Sequence, residues 1–157
     1  MHRGLTAAIV LASLAAAGPA VAECDYPAID ATFPLGAPTG ASVVRDFGLQ
    51  YDDLAQKKTQ HDGVDFEAAA GDPVYAAQGG RVIEAGQKGD LGLYLRIDHG
   101  GGVQTGYGHL GQSTLKAGDC VTPGQEIGKA GPLPGPRLHF EVWRDGQPVN
   151  PLELLPQ

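Results

Sequence analysis

Three things are scarce in this sequence: cysteine, aromatic side chains and positive charge. Among 157 residues there are two cysteines, 6% aromatic residues, and 11 lysines and arginines against 18 aspartates and glutamates, which gives a formal net charge of −7. Two cysteines without Cys-x-x-Cys spacing make neither a thiol-based metal motif nor a redox motif. The acidic balance excludes the basic face of a nucleic-acid-binding protein, so we expect no nucleic-acid partner.

A helical pattern is also missing. No stretch repeats its apolar residues every 3.6 positions, and the 24 glycines and 12 prolines favour turns. Short alternating segments separated by turn residues instead predict an all-β, antiparallel sandwich or barrel with very little helix. The predicted strands cover residues 41–48, 64–66, 73–77, 80–86, 92–98, 102–110, 124–131 and 137–144, and residues 49–60 are expected to form a polar loop.

The first 22 residues have the pattern of an export signal. A positively charged start, a short apolar run and the sequence Ala20-Val21-Ala22 correspond to the three regions of a signal peptide. The apolar run is too short and too rich in alanine for a comfortable membrane span; an N-terminal anchor helix is the alternative. We expect a periplasmic or secreted protein without a membrane span after cleavage. An extended tether would cover residues 23–40 and one domain residues 41–155.

The two cysteines, Cys24 and Cys120, both follow the predicted cleavage site. Because export permits disulfide formation, the simplest expectation is a Cys24–Cys120 bridge that ties the tether to the domain. Two free thiols are the alternative.

A weak internal repeat runs through the predicted domain. Gly71-Asp72-Pro73-Val74 recurs 47 residues later as Gly118-Asp119-Cys120-Val121, and each copy precedes a glycine-rich strand. Two related β units packed around one shared core would explain the repeat. Coincidence between two Gly-Asp turns is the alternative.

Three residues offer the ligands of a catalytic zinc site, in which three protein side chains bind the metal and water takes the fourth position. His61 and Asp65 are separated by a segment with Gly63 at its centre, and in an extended chain both side chains share one face. His139 follows in an alternating strand, on the face opposite to its apolar neighbours. Taken singly, each has an ordinary alternative. His61 could be an exposed loop histidine, Asp65 a solvated aspartate and His139 a half-buried structural histidine.

Two further histidines of the predicted domain lie at strand ends. His109 closes the segment Tyr107-Gly108-His109-Leu110 and, taken alone, is ordinary. His99 lies at a strand–turn junction before two glycines, and we expect it to stabilise the turn rather than to take part in chemistry.

Together these residues resemble a known family. Residues 41–155 are similar to the lysostaphin-type, LytM-like zinc metallopeptidases, which cut peptidoglycan cross-bridges. The resemblance implies an all-β fold of the duplicated hybrid motif type, in agreement with the internal repeat. It is carried, in the order of the family, by residues 61–66, 71–77, 80–82, 97–100, 107–110, 118–119, 124–128, 135–142 and 148–151.

By this resemblance, His61, Asp65 and His139 bind Zn²⁺, and His109 lies beside the metal-bound water as a catalytic residue. Arg137 departs from the pattern, because active members place a second catalytic histidine there. An arginine stays protonated and cannot act as a general base, but it can stabilise an oxyanion as a fixed cation. It could equally repel the metal or fill the groove, so this candidate catalytic position decides between an active and an inactive site.

The sequence therefore predicts an exported zinc metalloendopeptidase that hydrolyses peptide bonds of peptidoglycan. The alternative is a non-catalytic module of the same fold that binds zinc or wall peptides and regulates a partner cell-wall hydrolase, and Arg137 favours it. A third interpretation is a lipoyl or biotinyl carrier domain, suggested by the pattern Gly-Asp-x-Val-x-x-Gly-Gln-x-Ile-Gly. Such carriers need a modifiable lysine at a hairpin tip, whereas Lys129 follows the motif.

Overall fold

The computed structural model of the chain describes Cys24 and residues 35–53, 56–132 and 137–156. The predicted signal peptide lies outside these residues, as does most of the predicted tether. Two 3₁₀ helices of three residues each, Gly89–Leu91 and Pro151–Glu153, accompany the strands. The strands are β1 (Val43–Arg45), β2 (Gly48–Asp52), β3 (Lys57–His61), β4 (Val64–Glu67), β5 (Pro73–Tyr75), β6 (Gly80–Gln87), β7 (Leu93–Asp98), β8 (Val103–Gln112), β9 (Cys120–Val121), β10 (Glu126–Ala130), β11 (Arg137–Arg144) and β12 (Gln147–Val149). No helix in the described part of the chain is long and apolar enough to cross a membrane.

The strands pair in antiparallel fashion. A ten-stranded sheet follows the order β1-β4-β11-β8-β7-β6-β9, with β10 joining β5 to β8 and β12 pairing with β11, while β2 and β3 form a separate two-stranded ribbon. This confirms the predicted all-β fold with very little helix. Strand β11 lies between β4 and β8, so its residues meet those of two neighbouring strands.

The alternation of β11 separates the core from the candidate site. Leu138, Phe140 and Val142 are fully buried in the apolar core. Burial of side chains of this size contributes about 1.5–3 kcal/mol each, which fixes the register of the strand. The odd-numbered residues of β11 must then point to the opposite face, where the candidate site lies.

The internal repeat is visible in the structure. The side chain of Asp72 accepts a hydrogen bond from the backbone N–H of Ala69, and that of Asp119 accepts the equivalent bond from Lys116, both at 2.8 Å. The glycine before each aspartate has a φ of +91° or +101°, which favours glycine. The strands that follow pair crosswise, β5 with β10 and β6 with β9. The two units therefore interlock, and the interpretation as a duplication is preferred over coincidence.

The segment before the candidate site differs from its prediction. Instead of one strand over residues 41–48, the chain forms β1 and then begins β2. The loop predicted over residues 49–60 is wrong, because this segment forms most of the β2–β3 hairpin, which ends at His61. Leu49 and Tyr51 of this hairpin are 64% and 56% exposed. β2 alternates over only two apolar residues, and β3 contains none, so the hairpin gives too little of the pattern by which strands are recognised in a sequence.

The N-terminal segment is attached to the domain at two points. Leu35 is buried, and its backbone N–H donates to the carbonyl oxygen of Leu154. Cys24 and Cys120 form a disulfide with Cα atoms 5.5 Å apart, which confirms the predicted bridge. The described part of the predicted tether, residues 35–40, thus packs on the domain.

Candidate metal centre

Three polar side chains meet at one point of the fold. His61 ends β3, Asp65 lies on β4, and His139 lies on β11 directly opposite Asp65 in the strand register. His61 Nε2, Asp65 Oδ1 and His139 Nδ1 form a triangle with sides of 3.2, 3.2 and 2.9 Å. All three residues are buried. The structure therefore brings together the three residues that the sequence predicts as ligands.

The orientation of His61 is set by the backbone. Its Nδ1 lies 2.6 Å from the carbonyl oxygen of Asp46. Because a carbonyl oxygen only accepts hydrogen bonds, Nδ1 carries the proton and donates. In the neutral ring, the lone pair is then on Nε2, which is the atom that faces the triangle.

The orientation of His139 is set by a side chain. Its Nε2 lies 3.2 Å from Oε1 of Glu141, so it donates to this carboxylate and leaves Nδ1 to face the triangle. Gly63 makes room for the ring, since a Cβ at this position would lie 2.8 Å from Cε1 of His139. The same Cβ would collide with the carbonyl oxygen of Phe140, so the glycine between His61 and Asp65 is required by close packing against both the backbone of β11 and the ring of His139.

Three further donors hold Glu141 in place. Tyr94 Oη and Trp143 Nε1 lie 2.7 and 2.8 Å from its Oε2, and Arg96 Nη2 lies 3.5 Å away. Burial raises the pKa of this carboxyl group, but hydrogen bonds with His139, Tyr94 and Trp143 outweigh burial and lower the pKa to about 2. Glu141 is therefore ionised at neutral pH, which keeps the proton on Nε2 of His139.

The triangle fits a zinc ion. Zinc bonds of about 2.0–2.1 Å place tetrahedral ligand atoms about 3.3 Å apart, close to the observed sides of 2.9–3.2 Å. Two imidazole nitrogens and a carboxylate oxygen are also a donor set that zinc accepts. Three lone pairs this close repel one another unless a cation lies among them.

Without a metal, a proton takes the place of that cation. Burial lowers the pKa of His139, but its hydrogen bonds with Asp65 and Glu141 prevail and raise the pKa to about 9. Burial raises the pKa of Asp65, while its hydrogen bonds with His139 and His61 prevail and hold this pKa far below its usual range. The centre therefore attracts positive charge, as a metal site does.

Two arginines approach the second oxygen of Asp65. Arg137 on β11 has its Nη1 atom 3.2 Å from Oδ2, and Arg45 on β1 has its Nη1 atom 4.0 Å from Oδ2. The hydrogen bond from Arg137 orients the carboxylate and leaves Oδ1 for the triangle. Arg137, at which the sequence departs from the pattern of the family it resembles, thus contacts a predicted metal ligand.

His109 is turned towards the triangle by a break in β8. Its φ is +60°, which is rare outside glycine, and the pairing of β8 with β7 shifts register nearby. Such a bulge re-aims a side chain. The His109 ring centre lies 6.1 Å from that of His139, and Nδ1 of His109 is buried without a hydrogen-bond partner among the described residues. Burial, followed by the charge of His139, lowers the pKa of His109, so its ring is neutral at neutral pH.

Three contacts of the centre were missed by reasoning from sequence. Glu141 carried a signal, because strand alternation places it on the same face as His139. Asp46 contributes a backbone carbonyl oxygen, which no side-chain motif reveals. Arg45 reaches the centre only because β1 pairs with β4.

Comparisons with known proteins agree with this geometry. Residues 59–151 match the sequence profile of Peptidase family M23. The DD-carboxypeptidase/endopeptidase Mpg of Neisseria meningitidis serogroup B is 36% identical over 113 residues, which are 69% of this chain and 26% of that protein. The peptidoglycan DD-endopeptidase ShyB of Vibrio cholerae is 40% identical over 96 residues, which are 59% of this chain and 22% of that protein.

A solved structure shares the fold. The crystal structure of a zinc containing peptidase from Vibrio cholerae superposes with a TM-score of 0.71 and 31% sequence identity, over 78% of this chain and 41% of that chain. This chain spans about a quarter of the length of Mpg and ShyB. The profile match covers more than half of the chain and includes all three corners of the triangle, which confirms the resemblance found in the sequence. The chain belongs to Peptidase family M23.

Proposed function

We propose that this chain is a zinc-dependent peptidase domain that hydrolyses peptide bonds of peptidoglycan, with His61, Asp65 and His139 as the metal ligands. The observation that carries the proposal is the convergence of three lone pairs within 2.9–3.2 Å, with both ring tautomers set by contacts outside the triangle. Family membership supports peptidase chemistry. The activities after which Mpg and ShyB are named support peptidoglycan as the substrate class.

The catalytic roles follow from the groups around the centre. A zinc ion bound there would polarise the scissile carbonyl and lower the pKa of a water molecule. His109, which is neutral and half-buried, accepts the proton that the attacking water loses and passes it to the departing amine. Arg137 cannot take this proton, but its fixed charge stabilises the negative charge that develops on the carbonyl oxygen. Proton transfer thus rests on one imidazole.

The proposed location is the periplasm or the outside of the cell. Disulfides such as Cys24–Cys120 form and persist in oxidising compartments. The predicted signal peptide and the activities for which the relatives are named support the same location.

Digestion of purified cell-wall sacculi tests the proposed activity. Zinc-loaded mature protein is expected to release soluble fragments with new amino termini, and His61→Ala is expected to release none, because it removes a ligand. His109→Ala should lower kcat by about 10²–10⁴-fold at unchanged zinc content, since it removes the proton acceptor. Fragments are detected by mass spectrometry and zinc by elemental analysis. Protein that holds one zinc ion and releases no fragments would contradict the proposal.

A non-catalytic module that regulates a partner hydrolase is the second candidate function, and Arg137 in place of a catalytic histidine favours it. Arg137→His separates the two functions. If the chain is a weakened enzyme, a second imidazole raises sacculus hydrolysis at unchanged zinc content. A regulator stays inactive with either residue and changes the activity of a partner hydrolase instead. A fall in hydrolysis would show that Arg137 is itself catalytic.

A further inference from the structure

Two cationic side chains flank the candidate metal centre, and the roles above use only one of them. Arg45 on β1 and His139 on β11 both lie opposite Asp65 in the strand register, because β1 and β11 are the two neighbours of β4. Arg137 lies on β11 as well. The two guanidinium groups therefore approach Asp65 from both sides, with Nη1 atoms 4.0 Å (Arg45) and 3.2 Å (Arg137) from Oδ2.

Asp65 does not satisfy the guanidinium group of Arg45. Its Oδ1 belongs to the triangle, and its Oδ2 is within hydrogen-bonding distance of Arg137 but not of Arg45. The 4.0 Å contact of Arg45 is an ion pair without a hydrogen bond. The side chain of Arg45 is 38% exposed. Its N–H donors are therefore available to a ligand that arrives from solvent.

Two guanidinium groups meet at one carboxylate oxygen of the candidate site. Arg45 and Arg137 both approach Oδ2 of Asp65, and their side chains are 38% and 36% exposed. Glu141, on the same strand as Arg137, already pairs with Arg96. A chain with a net charge of −7 thus places two partly exposed arginines side by side at its candidate site.

We propose that Arg45 and Arg137 form a carboxylate-binding subsite beside the metal centre, which takes the free α-carboxylate of a peptide whose last bond is cut. The proposal rests on the peptidase function proposed above and narrows its substrates to peptides with a free carboxyl terminus. Guanidinium groups bind carboxylates in a bidentate, charge-assisted arrangement. The scissile carbonyl would lie at the metal centre, and consecutive Cα atoms are only about 3.8 Å apart. The terminal carboxylate of the next residue would therefore lie close to the centre, near Arg45 and Arg137, which both contact the predicted ligand Asp65.

The corresponding reaction removes the last amino acid. The hydroxyl of one water molecule joins the carbonyl carbon, the C–N bond breaks, and the second proton of the water passes through His109 to the departing nitrogen. The departing residue keeps its carboxylate on the two arginines. Arg45 touches no reacting atom, so its removal is expected to raise KM more than it lowers kcat.

A matched pair of probes tests the subsite: acetyl-D-alanyl-D-alanine and its C-terminal amide, which differ only in the carboxylate. Isothermal titration of each probe into zinc-loaded protein gives its Kd, and zinc content and probe integrity are measured on the same samples. We expect the acid to bind at least about tenfold more tightly than the amide, as a charge-assisted contact provides.

Three variants assign this preference to the arginines. Arg45→Gln should remove most of the acid preference at unchanged zinc content and melting temperature, because it keeps the length of an exposed side chain and removes its charge. Arg45→Lys should keep part of it, since the charge remains without the planar fork. Lys58→Gln is the matched control: it removes one exposed positive charge from the neighbouring hairpin and should keep the full preference.

Two results would overturn the subsite. One is equal binding of acid and amide by the zinc-loaded wild-type protein. The other is an acid preference that survives in the double variant Arg45→Gln/Arg137→Gln, because the carboxylate would then bind the metal itself. If the protein digests sacculi but binds both probes equally, the subsite is refuted and the proposed function stands. If it prefers the acid through Arg45 but does not digest sacculi, the subsite stands and the proposed function is refuted.

Discussion

Two buried histidines, His139 within β11 and His99 directly after β7, differ in how they use their ring nitrogens. Both are nearly inaccessible to solvent. Nδ1 of His99 donates to the carbonyl oxygen of Gly79, and its Nε2 faces the hydroxyl of Thr105, both at 2.8 Å. His139 has an outer partner on Nε2, which is Glu141, while its Nδ1 faces the other two corners of the triangle.

This difference shows that burial does not separate a structural histidine from a metal ligand. The two are separated by whether the second ring nitrogen already has a hydrogen-bond partner in the core. In the neutral ring of His99 both nitrogens have a hydrogen-bond partner within the core, so no lone pair is left for a metal. In His139 the outer partner fixes the proton on one nitrogen and presents the other. The role of each imidazole is therefore decided by the groups behind it, and those groups can be changed.

The largest effect is expected from Glu141→Gln. Tyr94, Arg96 and Trp143 all donate to Oε2 of Glu141, so the amide oxygen of a glutamine would turn to them and its NH₂ group would face His139. The proton of His139 would then move to Nδ1, and the centre would lose a lone pair. Zinc affinity should fall by about 10–100-fold, the usual cost of losing an outer contact.

Competition with a chromogenic chelator measures this affinity, and ¹⁵N NMR of the metal-free protein well above pH 9, where the ring of His139 is neutral, identifies its tautomer. Asp46→Ala is the matched control for the other histidine ligand. It removes a side chain but keeps the carbonyl oxygen that His61 uses, so zinc affinity should stay unchanged. A Glu141→Gln protein with wild-type zinc affinity would show that Glu141 does not set the tautomer of His139.

A smaller effect is expected from filling the space beside each ring. A Cβ at Gly63 would lie 2.8 Å from Cε1 of His139, and a Cβ at Gly80 would lie 2.9 Å from Nδ1 of His99. Gly63→Ala and Gly80→Ala should each lower the free energy of unfolding by about 1–2 kcal/mol, because the close-packed neighbours must move.

Only Gly63→Ala should also weaken zinc binding, since His99 takes no part in the centre. Urea titration and chelator competition measure the two quantities. Gly40→Ala, with no atom within 4 Å of the added Cβ, is the control and should change neither. Equal loss of zinc affinity in the Gly63 and Gly80 variants would mean that the two regions are coupled.

The strands next to or containing these histidines could be predicted from sequence, because their alternation reflects a buried face. β11 occupies the same residues, 137–144, that the pattern indicates. His99 could be assigned a structural role because it follows a strand and precedes two glycines, whereas alternation alone left His139 as an ordinary half-buried histidine. The family resemblance identified His139 as a ligand, because it rests on the residues around this histidine.

The contacts behind the ligands could not be predicted, because they depend on tertiary pairing. Arg45 reaches Asp65 only through the pairing of β1 with β4, and Asp46 acts through its backbone. The positive φ that turns His109 towards the centre is typical of glycine, so nothing in the sequence marks it. Among its described residues, the β2–β3 hairpin buries no apolar side chain, so the core does not determine its sequence pattern. The strands that could be predicted are those whose alternating apolar residues pack into the core.

The smallest effect concerns the pH dependence of stability around His99. Burial lowers the pKa of His99 and outweighs the opposite influence of the Gly79 carbonyl and of Asp98. The unfolded chain, with a histidine pKa of about 6.5, therefore binds more protons than the folded protein below that pH. The stability that depends on neutral His99 is complete above about pH 6.5 and is lost as the pH falls towards the lower pKa of the folded state.

Denaturant titrations at a series of pH values measure this loss, and NMR follows the ring of His99. His99→Gln, which has no titrating group at this position, should show a shallower decline in the free energy of unfolding below about pH 6.5 than the wild-type protein. If His99 titrates at or above the pKa of a free imidazole, its neutral ring has a lone pair that a proton can reach inside the core. The contrast with His139 would then not hold.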